Sequence, residues 1–329
     1  MTKEKIRWAI LGAGVIAHDF AKDFKYMQHA ELIAVAARDR EKAKAFASGY
    51  NISQALSYEE LYQSNDIDAV YIATTHNFHY EQTKKCLQNG KAVLCEKPIT
   101  VNDKEFKELM AFSKSNKVFL MEALWTYFLP AIHKAKQWVD EGRIGKLKVI
   151  QADFAYPMEK NMEGRMYNPL LAGGALLDLG VYTVALATLF MDKKPDRITA
   201  SGILTETGVD ANVAMILQYE STTATLFTSM ETRMTNKLRL FGETGYIEVP
   251  DFWRAYACRL FNKDYELIES FEDGRTSHGF IYQMQHATNR ILNNEIESNI
   301  VTHQKSNDIQ EIMTEVRRQI GLSYPQDNK

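Results

Sequence analysis

The first third of the chain alternates short, almost wholly apolar runs with longer stretches in which apolar residues recur at helical spacing. Runs 6–11, 31–38, 69–74, 92–95 and 118–121 have strand length. Between them, 15–24, 40–50, 57–62, 80–89 and 103–115 carry helical periodicity, with Ser57 and Glu60 spaced as a capping box. Strands of this kind, apolar on both faces and separated by helices, predict an α/β unit with a doubly wound parallel sheet.

After Trp125 the pattern changes. An amphipathic helix over 131–141 precedes period-two runs at 148–156, 198–204, 212–219, 222–230, 236–241, 246–249, 255–261 and 266–271. Gly242-Glu243-Thr244-Gly245 marks one hairpin turn, and helices over 282–293 and 308–320 close the chain. This predicts an α+β domain whose large, mostly antiparallel sheet leaves one face open for helices or a second subunit. The expected division is a first domain at 1–122 and a second, for substrate and oligomerisation, at 123–329. No internal repeat or low-complexity linker interrupts it.

Composition narrows the class only slightly. The 329 residues fit two domains, and a net charge of −3 gives no electrostatic reason for a nucleic-acid or membrane partner. Met1-Thr2-Lys3 leads toward a strand-length run rather than a signal-peptide core, and no window is expected to reach the ~20 apolar residues of a membrane span. Cys86, Cys95 and Cys258 are odd in number and without metal-like spacing, which points to reduced thiols in the cytoplasm and to no metal site.

The chemistry begins at Gly12-Ala13-Gly14-Val15-Ile16-Ala17, between the first strand and first helix. Gly12 permits a tight turn, Gly14 lets backbone N–H groups approach a pyrophosphate, and Ala17 lets helix and strand pack closely. This is the Rossmann dinucleotide signature in its proper context. Arg38, at the end of the second strand, suits the 2′-phosphate of NADP, with NAD possible if Asp39 serves the ribose instead. Ligands of such sheets lie beyond the carboxyl ends of strands, which places Thr74, Thr75 and His76 on the nicotinamide side. His79 is expected to be a structural residue at a helix start. Glu96-Lys97-Pro98 ends a further strand, and the Pro98 bond can be cis or trans. In the second domain, Gly173-Gly174 precedes Asp178 and Tyr182, which share a face if the segment is helical.

The glycine motif followed by Glu96-Lys97-Pro98 resembles the glucose–fructose oxidoreductase/inositol dehydrogenase (Gfo/Idh/MocA) family. Gly173-Gly174-Ala175-Leu176-Leu177-Asp178 with Tyr182, Ala123-Leu124-Trp125, and the ending at Ile320-Gly321-Leu322-Ser323-Tyr324-Pro325 are similar to its branch of dimeric dihydrodiol dehydrogenase and NADP-dependent D-xylose dehydrogenase. Tyr127 stands where the branch usually has arginine, Ala37 where a serine often precedes the cofactor arginine, and Asn299 where a proline is common. A polar contact and some NADP preference are in question there, but Lys97, Asp178 and Tyr182 are untouched.

The resemblance implies hydride transfer between NADP and a carbinol carbon of a sugar, polyol or trans-dihydrodiol. Tyr182 then takes the hydroxyl proton, Lys97 lowers the tyrosine pKa and polarises the oxygen, and Asp178 orients the pair or holds a second hydroxyl. Glu96 and Lys97 join Gly12 to Ile16, Arg38 and Thr74 to His76 at the cofactor. Trp125 and Phe154 are candidate walls and Arg165 a candidate polar contact. A homodimer through the second sheet is expected. Reduction of a keto-sugar or anhydro-sugar is the alternative within the family. A silent NADP-binding sensor is the alternative outside enzymes, disfavoured because all three polar residues are present.

Overall fold

The computed structural model describes residues 4–328, so Met1, Thr2 and Lys3, on which the reading of the chain start rested, lie outside the described residues. The chain forms two compact units that are not two successive stretches. The first takes the chain through Thr100, then Lys104–Trp125 and Thr276–Ser306; the second takes Val101–Asp103, Thr126–Arg275 and the chain from Asn307.

In the first unit, β1 (Ile6–Leu11), α1 (Val15–Phe24), β2 (Ala30–Ala36), α2 (Arg40–Tyr50), β3 (Gln54–Leu56), α3 (Tyr58–Gln63), β4 (Ala69–Ile72), α4 (His76–Gln88), β5 (Ala92–Glu96), α5 (Asp103–Asn116) and β6 (Leu120–Ala123) follow one another. Six strands pair in the order β3-β2-β1-β4-β5-β6, all parallel. That is the doubly wound order with its reversal between β1 and β4. Strands β4, β5 and β6 are buried at every residue, as expected with helices on both faces.

Several boundaries differ from the sequence reading, and some of them move a candidate site residue. β4 stops at Ile72 rather than 74, and α4 starts at His76 rather than 80, so Thr74 and Thr75 form the link and His79 lies in the helix. β6 runs 120–123 rather than 118–121, which draws Glu122 into the sheet at 1 % exposure. The three-residue β3 was too short to show a period.

The late segment completes this unit through buried polar contacts. The Asp23 carboxylate accepts the backbone N–H groups of Gly279 and Phe280, both at 2.9 Å, at the start of α8 (Phe280–Leu292). The Trp8 indole donates to Thr288 Oγ1 on the same helix at 3.1 Å.

In the second unit, α6 (Pro130–Asp140), β7 (Leu147–Ala155), a π turn (Leu176–Gly180), α7 (Val181–Met191), β8 (Arg197–Leu204), β9 (Asp210–Gln218), β10 (Thr223–Ser229), β11 (Lys237–Gly242), β12 (Gly245–Pro250), β13 (Ala257–Asn262) and β14 (Leu267–Glu272) are followed by much of α9 (His303–Ile320). Eight strands pair in the order β14-β13-β12-β11-β7-β10-β9-β8. β7 and β10 run parallel and the other pairs antiparallel. The register puts Phe154, Leu226, Leu240 and Ile247 on the buried face and Gln151, Ile216, Arg239 and Tyr246 on the other.

α7 is apolar all round because the core surrounds it: every residue from Val181 to Phe190 is buried. The same composition corrects the expectation that no window reaches span length. Pro169–Met191 passes by length and hydropathy, yet 89 % of that window is buried inside the protein.

Candidate active site

The glycine turn fits an anionic ligand by what its helix lacks. Gly12 holds φ +108°, and a Cβ there would lie 2.7 Å from the Ala73 carbonyl oxygen. Its N–H bonds the Ala36 carbonyl at 2.8 Å, tying the turn to the end of β2. Gly14 then opens α1 with no side-chain cap and no acid in the first turn, while Val15 is 84 % exposed. The two following helices are capped: Asp39 accepts from Glu41 and Lys42, and Ser57 and Glu60 close a capping box. A helix start leaves N–H groups without partners, and only α1 of these three offers them uncovered, which suits a pyrophosphate. Ala13 and Ile16 are half-buried beside it and Ala17 fully buried against the sheet.

Arg38 is exposed just beyond β2. Asp39, the alternative ribose partner, has its carboxylate on the Glu41 N–H at 2.9 Å and the Lys42 N–H at 3.4 Å. Capping thus occupies the acid and leaves the arginine facing outward.

The carboxyl end of β5 bends at a cis Lys97–Pro98 bond. Glu96, expected at the cofactor, is 6 % exposed and lies against this bend. It accepts the Tyr71 hydroxyl at 2.5 Å and the Lys97 N–H at 3.2 Å. Tyr71 in turn stacks on Phe20 at 3.8 Å. His79, fully buried, spans two links: Nδ1 faces the Pro98 carbonyl at 2.7 Å and Nε2 the Thr74 carbonyl at 3.1 Å. Burial holds its pKa below the usual imidazole value, against the two carbonyls, which favour the charged ring. The Thr74 hydroxyl donates to Gln82 at 2.6 Å and that of Thr75 to Asn77 at 2.8 Å. His76 is half-buried at the start of α4. Lys97 itself is half-buried. Trp125 also belongs to this unit, 4 % exposed and stacked on Phe280 at 4.7 Å.

The second unit holds the other polar pair. A Cβ on Gly173 would lie 2.6 Å from the Met166 carbonyl, and one on Gly174, at φ +111°, would overlap the Asp210 carboxylate. The segment that follows is not the regular helix expected, since Asp178 lies in the π turn and Tyr182 in the first turn of α7. Such one-turn insertions occur often at functional sites. The pair still faces one group. Arg165 bonds both Asp178 carboxylate oxygens at 3.0 and 3.1 Å, and the charges of Asp178 and Tyr182 together raise the guanidinium pKa. Asp178 is buried, whereas half of the Arg165 side chain (51 %) is exposed.

Tyr182, 9 % exposed, meets the edge of Phe154 at 5.3 Å. Phe154 stacks on Trp253 at 5.7 Å, and Tyr156 stands edge-on to it at 5.7 Å. A buried phenol therefore meets the aromatic cluster and shares Arg165 with a buried carboxylate.

Family models match both parts of the chain: "Oxidoreductase family, NAD-binding Rossmann fold" over residues 6–124 and "GFO/IDH/MocA C-terminal domain" over residues 132–248. The chain belongs to the Gfo/Idh/MocA oxidoreductase family. Among curated relatives, the trans-1,2-dihydrobenzene-1,2-diol dehydrogenase of Mus musculus is 36 % identical, with 98 % of this chain and 99 % of that protein covered. The Homo sapiens enzyme of the same name is 34 % identical over the same shares. Among solved structures, aldose-aldose oxidoreductase from Caulobacter crescentus superposes with a TM-score of 0.87 at 22 % identity, covering 99 % of this chain and 98 % of that one. A 3-ketoreductase from Actinomadura kijaniata, crystallised with NADP, gives 0.87 at 24 %, covering 96 % and 98 %.

As a Gfo/Idh/MocA protein the chain has the expected architecture, a parallel Rossmann-type sheet and a mostly antiparallel one. It is an NAD(P)-dependent oxidoreductase of CH–OH groups. Among the described residues no cluster of three or more metal-ligating side chains occurs. Sequence reasoning did not single out Trp253, Tyr156, Glu122 or Asp210, and named Tyr324 only within the family-like ending. Trp253 carried a signal, as an aromatic pair with Phe252 directly after a strand and a turn.

Proposed function

We propose that the protein oxidises a cyclic trans-diol, or the corresponding hydroxyl of a sugar, with NADP as preferred acceptor. The observation that carries the substrate class is the pairing of a flat apolar wall, Phe154 with Trp253, with the Asp178 carboxylate and Tyr182 phenol next to it. A ring with one apolar face and two hydroxyls at its edge matches both parts; an open polyol leaves the aromatic surface unused. The relatives named trans-1,2-dihydrobenzene-1,2-diol dehydrogenase support the same class.

The nicotinamide cofactor, when bound, accepts or supplies the hydride. Gly12 to Ile16 cradle its pyrophosphate, Arg38 reads the 2′-phosphate, and Thr74, Thr75 and His76 line the link beyond β4. Tyr182 takes the proton of the reacting hydroxyl. Lys97 supplies the positive charge that makes a phenol acidic enough to do so and steadies the developing oxyanion. Asp178, held in place by Arg165, orients the second hydroxyl.

Formation of NADPH is followed with trans-dihydrobenzenediol and with D-xylose, using NADP and NAD as acceptors. Faster turnover of the diol with NADP is expected, together with a ~10²–10⁴-fold loss of kcat in Tyr182→Phe. Full turnover by Tyr182→Phe removes the proton role.

The open face of the eight-stranded sheet supports a homodimer. It carries the stacked rings of Phe241, Tyr246 and Phe261 and the exposed Ile203 and Ile216. Light scattering giving the monomer mass of 37.7 kDa at micromolar concentration refutes it.

A further inference from the structure

Three consecutive residues of the Lys97 bend each set one backbone atom against a buried ionisable side chain. The Lys97 N–H donates to Glu96 Oε2 (3.2 Å), the Pro98 carbonyl faces His79 Nδ1 (2.7 Å), and the Ile99 N–H donates to Glu122 Oε1 (3.0 Å). Glu122 is the unexpected member. It stands in β6 among Leu120, Met121 and Ala123, all buried, at 1 % exposure. Burying a carboxyl there is costly, and a backbone carbonyl would satisfy one N–H as well.

What an amide or a carbonyl does not provide is charge. Burial pushes the Glu122 carboxyl up to about 7, with Glu96 raising it further and Lys97 favouring the anion. Cys95 on β5, whose thiol burial keeps protonated, is a further titratable neighbour; α9 contributes the Ser306 hydroxyl and sets His303 against the Leu120 carbonyl of β6. Interaction between two sites is reciprocal, so the ionised carboxyl favours the Lys97 ammonium by the same free energy.

We propose that Glu122 is a positioning residue for Lys97: it holds the bend through the Ile99 N–H and, with Glu96, sets carboxylate charge within reach of the lysine. This rests on the catalytic reading of Lys97 above. One proton on a side chain that never meets substrate then changes the field at the reacting oxygen near neutral pH.

Glu122→Gln keeps an acceptor for Ile99 and the shape of the side chain but removes the charge. The expected result is a loss of kcat of about tenfold or more, with substrate KM held within about threefold. NADPH affinity, followed by fluorescence, stays within about twofold, because the glycine turn is untouched. The neutral limb expected in the wild-type kcat–pH profile disappears. Glu122→Asp, with its carboxylate drawn back, retains that limb at reduced kcat, and it serves as the test if the glutamine variant does not fold. Wild-type kcat and an unchanged pH profile in Glu122→Gln overturn the proposal. Lys97→Met separates the two claims. If it is inactive while Glu122→Gln behaves as wild type, only the positioning role falls; if it turns over normally, the reading of Lys97 falls and this proposal with it.

Discussion

The Lys97 bend of the first unit and the Gly173-Gly174 turn of the second are built on the same device. In each, a buried carboxyl from a neighbouring strand accepts the backbone N–H of the segment that carries or follows the polar residues. Glu122 holds Ile99 at 3.0 Å and Asp210 holds Leu176 at 2.6 Å. Burial pushes both carboxyls up to about 7.

The surroundings differ. Around Glu122 are a second carboxylate and Lys97, so its ionisation is felt by a side chain proposed to act in the reaction. Around Asp210 are the N–H groups that open the π turn, the more distant charge of Arg317 and the Tyr324 phenol. Tyr324 donates to the Gly173 carbonyl, and the Arg317–Asp327 ion pair anchors the segment that carries it. The same device therefore serves charge in one unit and shape in the other.

The largest test of that difference is a methyl group. Gly174→Ala puts a Cβ into the Asp210 carboxylate at a backbone φ of +111°, against a side chain tied to the Leu176 N–H. A stability loss of about 3 kcal/mol or more is expected in urea unfolding, while any folded fraction binds NADPH normally. Gly12→Ala meets the Ala73 carbonyl at 2.7 Å and a φ of +108°. It should cost comparable stability and also abolish NADPH binding. Equal loss of NADPH affinity in both variants would erase the distinction between a cofactor turn and a purely architectural one.

The two turns also differed in how far the sequence revealed them. Gly12 and Gly14 were legible because a strand, a turn and a helix in fixed order impose residue types at fixed spacing, whereas Lys97 stood out through the family resemblance of Glu96-Lys97-Pro98. Asp178 and Tyr182 were legible as a pair, although the π turn between Leu176 and Gly180 was not, since no periodicity announces one inserted residue. The supports were hidden for separate reasons. Glu122 lay one residue beyond a strand placed two positions too early, although an acid within Phe119-Leu120-Met121-Glu122-Ala123-Leu124 is itself a sign of a buried charge with a task. Asp210, after Gly208 and Val209, looks like any acid at a turn, and only the folded sheet brings it to Leu176. His79 was correctly taken as structural, but its two carbonyl partners, Thr74 and Pro98, come from separate loops.

A smaller effect sharpens the comparison through pH. The ordinary carboxyl value of Asp210 is 3.8, and in the folded chain it rises to about 7. Between those values the folded protein keeps a proton that the unfolded chain releases. Stability from this group is therefore fullest at acid pH, falls as pH rises through that window and levels off above about 7. Asp210→Asn cannot lose that proton. Relative to wild type it should gain about 3 kcal/mol between pH 5 and pH 8 in urea unfolding, because about two units of the titration window lie above pH 5, at ~1.4 kcal/mol each. Glu122→Gln should gain in the same direction but somewhat less, because its carboxyl starts from 4.5. The two variants part company in turnover. Asp210→Asn retains an acceptor for Leu176 and has no lysine to influence, so its kcat–pH profile should keep the neutral limb that Glu122→Gln loses. If both variants lose the limb, the carboxyl of the second unit also acts on the chemistry, and the contrast between charge and shape fails.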